Sequence, residues 1–339
     1  MTSPIIRVSG LTVGDWIVPS TRFRLFDLLP LLRTRDIIVD VCLPGGRRVG
    51  EALALGGAIA RADVVLVQKR LIPSWVVRIL RSRRVPLVYD FDDAIWVAPD
   101  GSPTPAQDRA RLEALIAGSS AVIAGNRYLS AWAERLRDEV TVIPTTLDTG
   151  VWRPLSHRQP NLTLGWVGTG GNLRHLESIL PAVDHVLAAH PDVRLVVVSD
   201  TSPAAVANRD RVQFRRWDLR SQVADLADID IGLMPLPDTP WTRGKCGFKA
   251  LQFMALGAPV VVSPVGVNAE IVADGTNGLL ALSEDDWVGA LDRLIRDAGL
   301  RTRLGKAARN TVVKAYDIGR AADALASVLR SVRDHARAT

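Results

Sequence analysis

Short apolar runs of about four to eight residues, rich in Val and Ile, recur along the chain and limit its fold more than any other feature. The first series is PIIRVS (4–9), DIIVDVC (36–42), DVVLVQ (63–68), PLVYDFD (86–92), AVIAG (121–125) and VTVIP (140–144). A run of this length and composition reads as a strand buried on both faces. Helical patterns fill the gaps, as in RFRLFDLLPLLR (22–33), LIPSWVVRILRSRR (71–84) and AQDRARLEALIAG (106–118). Strand alternating with helix predicts right-handed βαβ units on a parallel sheet.

The alternation then restarts with LTLGWVG (162–168), VRLVVVS (193–199), VQFRRW (212–217), DIDIGLMP (228–235), PVVVS (259–263) and GLLAL (278–282). Helical patterns at 173–190 and 284–298 fall between these runs. TTLDTGVWRPLSHRQPN (145–161) separates the two series and is polar with two prolines. The chain of 339 residues is therefore expected to hold two tandem Rossmann-like, doubly wound α/β domains facing a central cleft. The expected division is 1–150, a linker at 151–161, 162–317, and a final amphipathic helix over 318–339.

With 47% hydrophobic and 23% charged residues, the composition is that of a soluble globular protein. No run approaches the roughly 18 apolar residues a membrane span needs. MTSPIIRVSG lacks the pattern of a secretory signal. Cys42 and Cys246 make no metal spacing, so a reducing cytoplasm is expected. The net charge of +6 suits anionic partners, although no interleaving of aromatic and basic residues points to nucleic acid. SWVVRILRSRR (74–84) is basic and amphipathic. It suits peripheral contact with an anionic membrane face, and equally a sheet-packing helix with its arginines outward.

LGWVGTGGNLRHLE (164–177) puts Thr169, Gly170, Gly171 and Asn172 between a strand and a helix. Glycines there let free N–H groups face an anion, with Asn172 as the N-cap. In GKCGFKALQFMALGAPVVV, Lys245 stands before a helix on which Lys249 and Gln252 share a face. Lysine occurs only at 69, 245, 249, 306 and 314. Cations at a helix start are electrostatically misplaced unless an anion joins them. Together these features point to a diphosphate. In SPVGVNAEIV (263–272), Val267 and Asn268 form a further glycine turn with Asn268 as N-cap, and Glu270 lies in the first helical turn. Trp217, after VQFRR, could lie near a nucleotide base or plug the domain edge.

KCGFKALQFMALGAPVVVSPVGVNAEIV resembles the nucleotide-sugar site of retaining family 4 glycosyltransferases (group 1) of the GT-B fold. LVYDFDDAIW (87–96), VIAGNRYLSAWA (122–133) and VPSTRFRLFDLLPLLR (18–33) extend the likeness to the first half. The resemblance implies that Lys249 contacts the donor diphosphate and Gln252 the ribose, where family members often carry glutamate. A second family glutamate would fall at Gly244 and is absent. The family's arginine would fall at Thr169; Lys245 or Arg174 would then supply that charge.

In the first half, Asp90, Asp92 and Asp93 could suggest a metal-binding D-x-D. No further carboxylates cluster near them, so sugar hydroxyls are the preferred partners of Asp92 and Asp93. Gly14, Asp15, Arg22, Arg24 and Asn126 are assigned to the acceptor or phosphate side. All five histidines (157, 175, 185, 190, 335) follow residue 150, which leaves no histidine base in the first half. A retaining route, in which the departing diphosphate takes the acceptor's proton, needs none. The expectation is a cytoplasmic transferase moving a sugar from a UDP- or GDP-sugar to a carbohydrate, small-molecule or lipid-linked hydroxyl, with no cofactor or metal. The alternatives are a sugar-nucleotide 2-epimerase or hydrolase, or a catalytically silent nucleotide-sugar binder.

Overall fold

The computed structural model describes residues 5–43, 56–57, 59–155, 161–203 and 210–338. His157 and the rest of 156–160 in the expected linker lie outside them. Every apolar run named above becomes a strand. They are β1 (Ile6–Thr12), β2 (Ile37–Cys42), β3 (Val64–Gln68), β4 (Leu87–Phe91), β5 (Ala121–Ala124) and β6 (Val140–Val142), then β7 (Thr163–Val167), β8 (Arg194–Ser199), β9 (Val212–Arg216), β10 (Ile231–Met234), β11 (Val260–Val262) and β12 (Leu279–Leu280). They form two six-stranded sheets of order β2-β1-β3-β4-β5-β6 and β12-β11-β10-β7-β8-β9. All pairings are parallel; Val8, for example, lies opposite Val39 on one side and Val64 on the other.

The chain divides into two compact units. The first comprises residues 1–146, 243–246 and 318–339; the second comprises 147–242 and 247–317. In the first, alternate residues of one strand enter opposite core layers, as a period of two requires. Val64 and Leu66 join one cluster, Val65 and Val67 the other. The second unit's core holds Leu164, Trp166, Leu195, Val197, Ile231 and Leu233.

Two long helical patterns are broken, and proline is the reason in each. The segment expected as one helix over 22–33 forms a helix at Pro19–Arg24, a 3-10 turn at Phe26–Leu28 and a second helix at Leu29–Arg33. Pro30 lacks an N–H and fits only the first turn of a helix, so a new one begins beside it. Pro181 likewise opens the helix Leu180–Ala189, separate from Leu173–Glu177.

The last helix, Ile318–Ala338, packs on the first unit. Its Ile318, Ala321, Ala322, Leu325, Ala326, Leu329 and Val332 repeat at three and four residues and join the cluster of Ile6, Val8, Leu25 and Leu32. Among the described residues no helix is long and apolar enough to cross a membrane. Leu329 is fully buried in this seam. Leu329→Ala is expected to destabilise the first unit by about 2–5 kcal/mol, read as a lower urea midpoint with the slope unchanged. A midpoint equal to wild type would mean the helix is not part of that core.

Candidate functional site

Ligands of a doubly wound sheet bind outside the carboxyl ends of its strands, where the strand order reverses. In the second unit that point lies between β7 and β10. The loop after β7 contains Gly168. A Cβ built there would lie 2.4 Å from the Trp166 ring and 3.1 Å from Cε of Lys249. The absence of a side chain therefore lets the Lys249 stem lie against this loop. Lys249 is carried by the helix Phe248–Ala255, which starts at Gly247 with φ 66°. A Cβ at Gly247 would sit 2.3 Å from Cδ1 of Ile271 and 3.4 Å from Oδ1 of Asn268. Glycine is needed there for both conformation and space. Lys249, the turn at 168–172, Val267 and Asn268 are thus gathered at one edge of the second sheet.

The details differ from the sequence expectation. The Gly170 N–H donates to Oδ1 of Asp200 at 2.7 Å, so this loop amide already holds an anion supplied by the protein. Asn172 does not cap the following helix. The 3-10 turn Gly170–Asn172 holds it at φ −103°, ψ −2°, away from the extended geometry a cap requires, and Nδ2 instead donates to Oγ1 of Thr169 at 2.7 Å. Nor is Asn268 an N-cap. Val267 takes that position, while buried Asn268 donates from Nδ2 to the Ser263 carbonyl at 3.2 Å. Its Oδ1 is buried with no hydrogen-bond partner among the described residues. Gln252 is 6% exposed, because its short helix is covered on nearly every side. Thr169 and Gly171 are exposed, as is Glu270 in the first turn of Asn268–Ile271. Trp217 is half-buried just beyond edge strand β9, with its backbone N–H on the Ser199 carbonyl at 2.8 Å.

In the first unit the order reverses between β1 and β3. After β1, the Thr12 hydroxyl donates to the Gly14 carbonyl at 2.7 Å and the Asp15 carboxylate accepts from the Ile17 amide at 3.0 Å. After β3 comes Lys69, at φ 55°. The sequence reading did not select it, although it ends a strand at the reversal in a chain with few lysines. Its Nζ is hydrogen-bonded to Oδ2 of Asp93 and lies 3.3 Å from Oδ1 of Asp92. Lys245, also in this unit, places Nζ 3.1 Å from Oδ1 of Asp93. The Ser20 hydroxyl donates to Asp92 at 2.6 Å. Burial disfavours the charged form of Asp92, but Lys69, Arg24 and Ser20 outweigh it and hold its carboxyl below the usual range. For Lys69, burial lowers the pKa, and Asp92 and Asp93 raise it by more.

Arg24, expected to meet phosphate, is buried and committed elsewhere. Its guanidinium forks onto Asp90, with Nε to Oδ2 at 2.8 Å, and Nη1 reaches the Ile143 carbonyl at 3.0 Å. Arg22 is buried too, its guanidinium 4.3 Å from the Phe23 ring centroid, and burial lowers its pKa. Asn126 caps the helix Arg127–Ala133 by accepting from the Leu129 amide at 2.9 Å. Its Nδ2 donates to the carbonyls of Gly244 at 3.2 Å and Lys245 at 3.0 Å. Cys246 donates from Sγ to the Asp92 carbonyl at 3.2 Å, and burial pushes its thiol up to about 12. Segment 243–246 is thus seated on the first unit by named polar contacts.

The fold has clear counterparts among solved structures. Sucrose-phosphate synthase from Thermosynechococcus elongatus superposes with a TM-score of 0.77 at 16% identity, covering 96% of this chain and 99% of that one. Anabaena HepE in complex with UDP-glucose gives 0.70 at 16% identity, covering 96% and 100%. The chain has the two parallel-sheet units of the GT-B glycosyltransferase fold. Residues 161–297 match the family described as glycosyl transferases group 1. The D-inositol 3-phosphate glycosyltransferase of Stackebrandtia nassauensis is 30% identical over 252 residues, which cover 63% of this chain and 55% of that protein. Its namesake from Frankia alni is 29% identical over 266 residues, covering 67% and 63%. The chain spans about half the length of the curated relatives it matches.

The depressed carboxyl of Asp92 has a measurable consequence. A carboxylate held below its unfolded value stabilises the fold above that unfolded value, and the gain is lost as pH falls through the folded one. Asp92→Asn is expected to cost about 1–3 kcal/mol at neutral pH. The gap from wild type should close as pH falls below about 4, the unfolded aspartate range. Urea titrations across this range check it; a gap independent of pH would remove the ionic role of Asp92.

Proposed function

We propose that the chain transfers a glycosyl group from a UDP- or GDP-sugar to a hydroxyl acceptor, with retention, and that the second unit holds the donor. The single observation that carries the reading is the Lys249 side chain laid against the glycine loop after β7, at the strand-order reversal. A cation fixed at this point suits a diphosphate, whose charge rises as it leaves. The group 1 match covers these residues, and a solved neighbour with this fold binds UDP-glucose.

In this mechanism the acceptor oxygen attacks the anomeric carbon from the face that the diphosphate vacates. The carbon–oxygen bond to the diphosphate breaks, and the acceptor's proton passes to the departing phosphate oxygen. Lys249 neutralises the new charge. Gln252 offers its amide to the ribose, Trp217 lies on the base side, and Val267, Asn268 and Glu270 border the same pocket. A carbohydrate, small-molecule or lipid-linked acceptor meets the first unit near Asp15, Asp92 and Asp93. Asp90, Asp92 and Asp93 each already have a cation partner, which favours this role over metal binding. No cofactor enters the scheme. The protein works in the cytoplasm, with peripheral membrane contact where the acceptor is lipid-linked.

One observation favours a second reading, donor binding without turnover. A Cβ at Gly244 would lie 2.6 Å from Cβ of Ala94, so this position has no room for an acidic side chain. A single set of assays separates the two. Thermal shift with UDP- and GDP-sugars should show stabilisation by the true donor. Lys249→Ala should fold as wild type does and lose about 10²–10³ in turnover. Undiminished turnover would end the diphosphate role of Lys249, while binding with no product from any acceptor would favour the silent binder. Product analysis without acceptor separates an epimerase or hydrolase.

A further inference from the structure

At the amino ends of β4, β5 and β6, opposite the edge that carries Asp90–Asp93, the first unit has a cavity of about 550 Å³. That volume lies within the range of small-molecule sites, roughly 300–1,000 Å³. Arg81, Arg84, Arg137 and His335 line it against a single carboxylate, Glu139, above an apolar floor that includes Val332. The basic side chains come from separate places in the chain: the end of the helix Ser74–Ser82, the segment before β6, and the last helix. Their convergence is a product of the fold, whereas a basic run would follow from local sequence alone.

One guanidinium of the cavity wall is fixed, and exposed Arg81 and Arg84 stand beside it. Arg137 is held by donating from Nη1 and Nη2 to the carbonyls of Ser119 and Ser120, and its Nε–H is buried with no acceptor among the described residues. Arg81 reaches the Ala117 carbonyl at 3.5 Å. Arg84 sits at φ 56°, where glycine is the easier occupant. Arginine forks match the oxygens of a phosphate, and an apolar floor strengthens the attraction by lowering the local dielectric.

We propose that this basin binds a phosphate-bearing anion at a site separate from the sugar donor. The phosphate could belong to a soluble phosphoester or to the headgroup of an anionic lipid. Exposed Trp75 and Ile79, one turn apart beside Arg78 on the helix Ser74–Ser82, would lie against a bilayer in the second case.

The test uses the full chain and the variants Arg84→Gly, Arg81→Gln/Arg84→Gly and Arg81→Lys/Arg84→Lys. Arg84→Gly removes a charge at a backbone conformation that glycine prefers, so it keeps the fold. Inorganic phosphate titrated by calorimetry into protein already saturated with UDP is one arm. Flotation with vesicles of phosphatidylglycerol in phosphatidylcholine, against phosphatidylcholine alone, is the other. Binding in either arm should weaken roughly tenfold or more for each arginine removed, and the double lysine variant should retain most of it. UDP binding and the melting temperature should stay at wild-type values. Loss in the calorimetric arm alone assigns a soluble phosphoester; loss on vesicles assigns a headgroup. No binding in either arm, or binding that the double variant leaves intact, overturns the proposal.

Discussion

Each sheet is parallel and its inner strands are buried on both faces, while edge strands β2, β6 and β9 are partly exposed, and the rest of the molecule follows from that constraint. Strands buried on both sides have no polar face, so their side chains are spent on packing. Chemistry is pushed to the strand ends, where the chain turns and backbone donors are available. Both units carry charged or glycine-rich residues beyond the carboxyl ends: Asp90 and Asp92 around the end of β4, Lys69 after β3, Gly168 and Gly170 after β7. The two strand-order reversals then single out one point on each edge.

The same constraint explains what could be read in advance. A strand buried on both faces is a short run of Val and Ile, and every such run was legible in the sequence. Helices carry a weaker signature, and Pro30 and Pro181 each open a new helix inside what reads as one continuous pattern. Capping was harder still. Asn172 and Asn268 are good N-cap residues, yet a 3-10 turn gives Asn172 helical rather than extended geometry at its helix start, and the turn after Gly266 places Asn268 one step inside its helix. Lys69 and Asp200 were missed for another reason. Neither belongs to a local motif, and each acquires its partner, Asp93 or the Gly170 amide, only when strands distant in sequence are brought side by side.

The arginines divide in the same way. Sequence alone gives every one of them the same choice between a solvated helix face and an anion. Arg24 takes neither: it lies in the core, forked onto Asp90 and a carbonyl, where burial would oppose its charge if the carboxylate were absent. A buried pair of this kind is costly to break from one side, because the partner left behind remains charged and dry. It fixes the helix Pro19–Arg24 to the end of β4 and so orients Ser20 toward Asp92.

Segment 244–249 shows how adjacent residues can serve different units. Lys245 and Lys249 are spaced to share a helix face, and a continuous helix would have put both on one anion. The helix instead begins at Phe248, after Gly247 at positive φ, and the two cations part company there. Lys245 goes to Asp93 of the first unit, under carbonyls gripped by Asn126, while Lys249 lies on the glycine loop of the second. A side chain at 247 would strike Ile271, so this change of direction requires glycine. Two lysines four residues apart in sequence thus serve separate units, and the left-handed turn at Gly247 is what divides them.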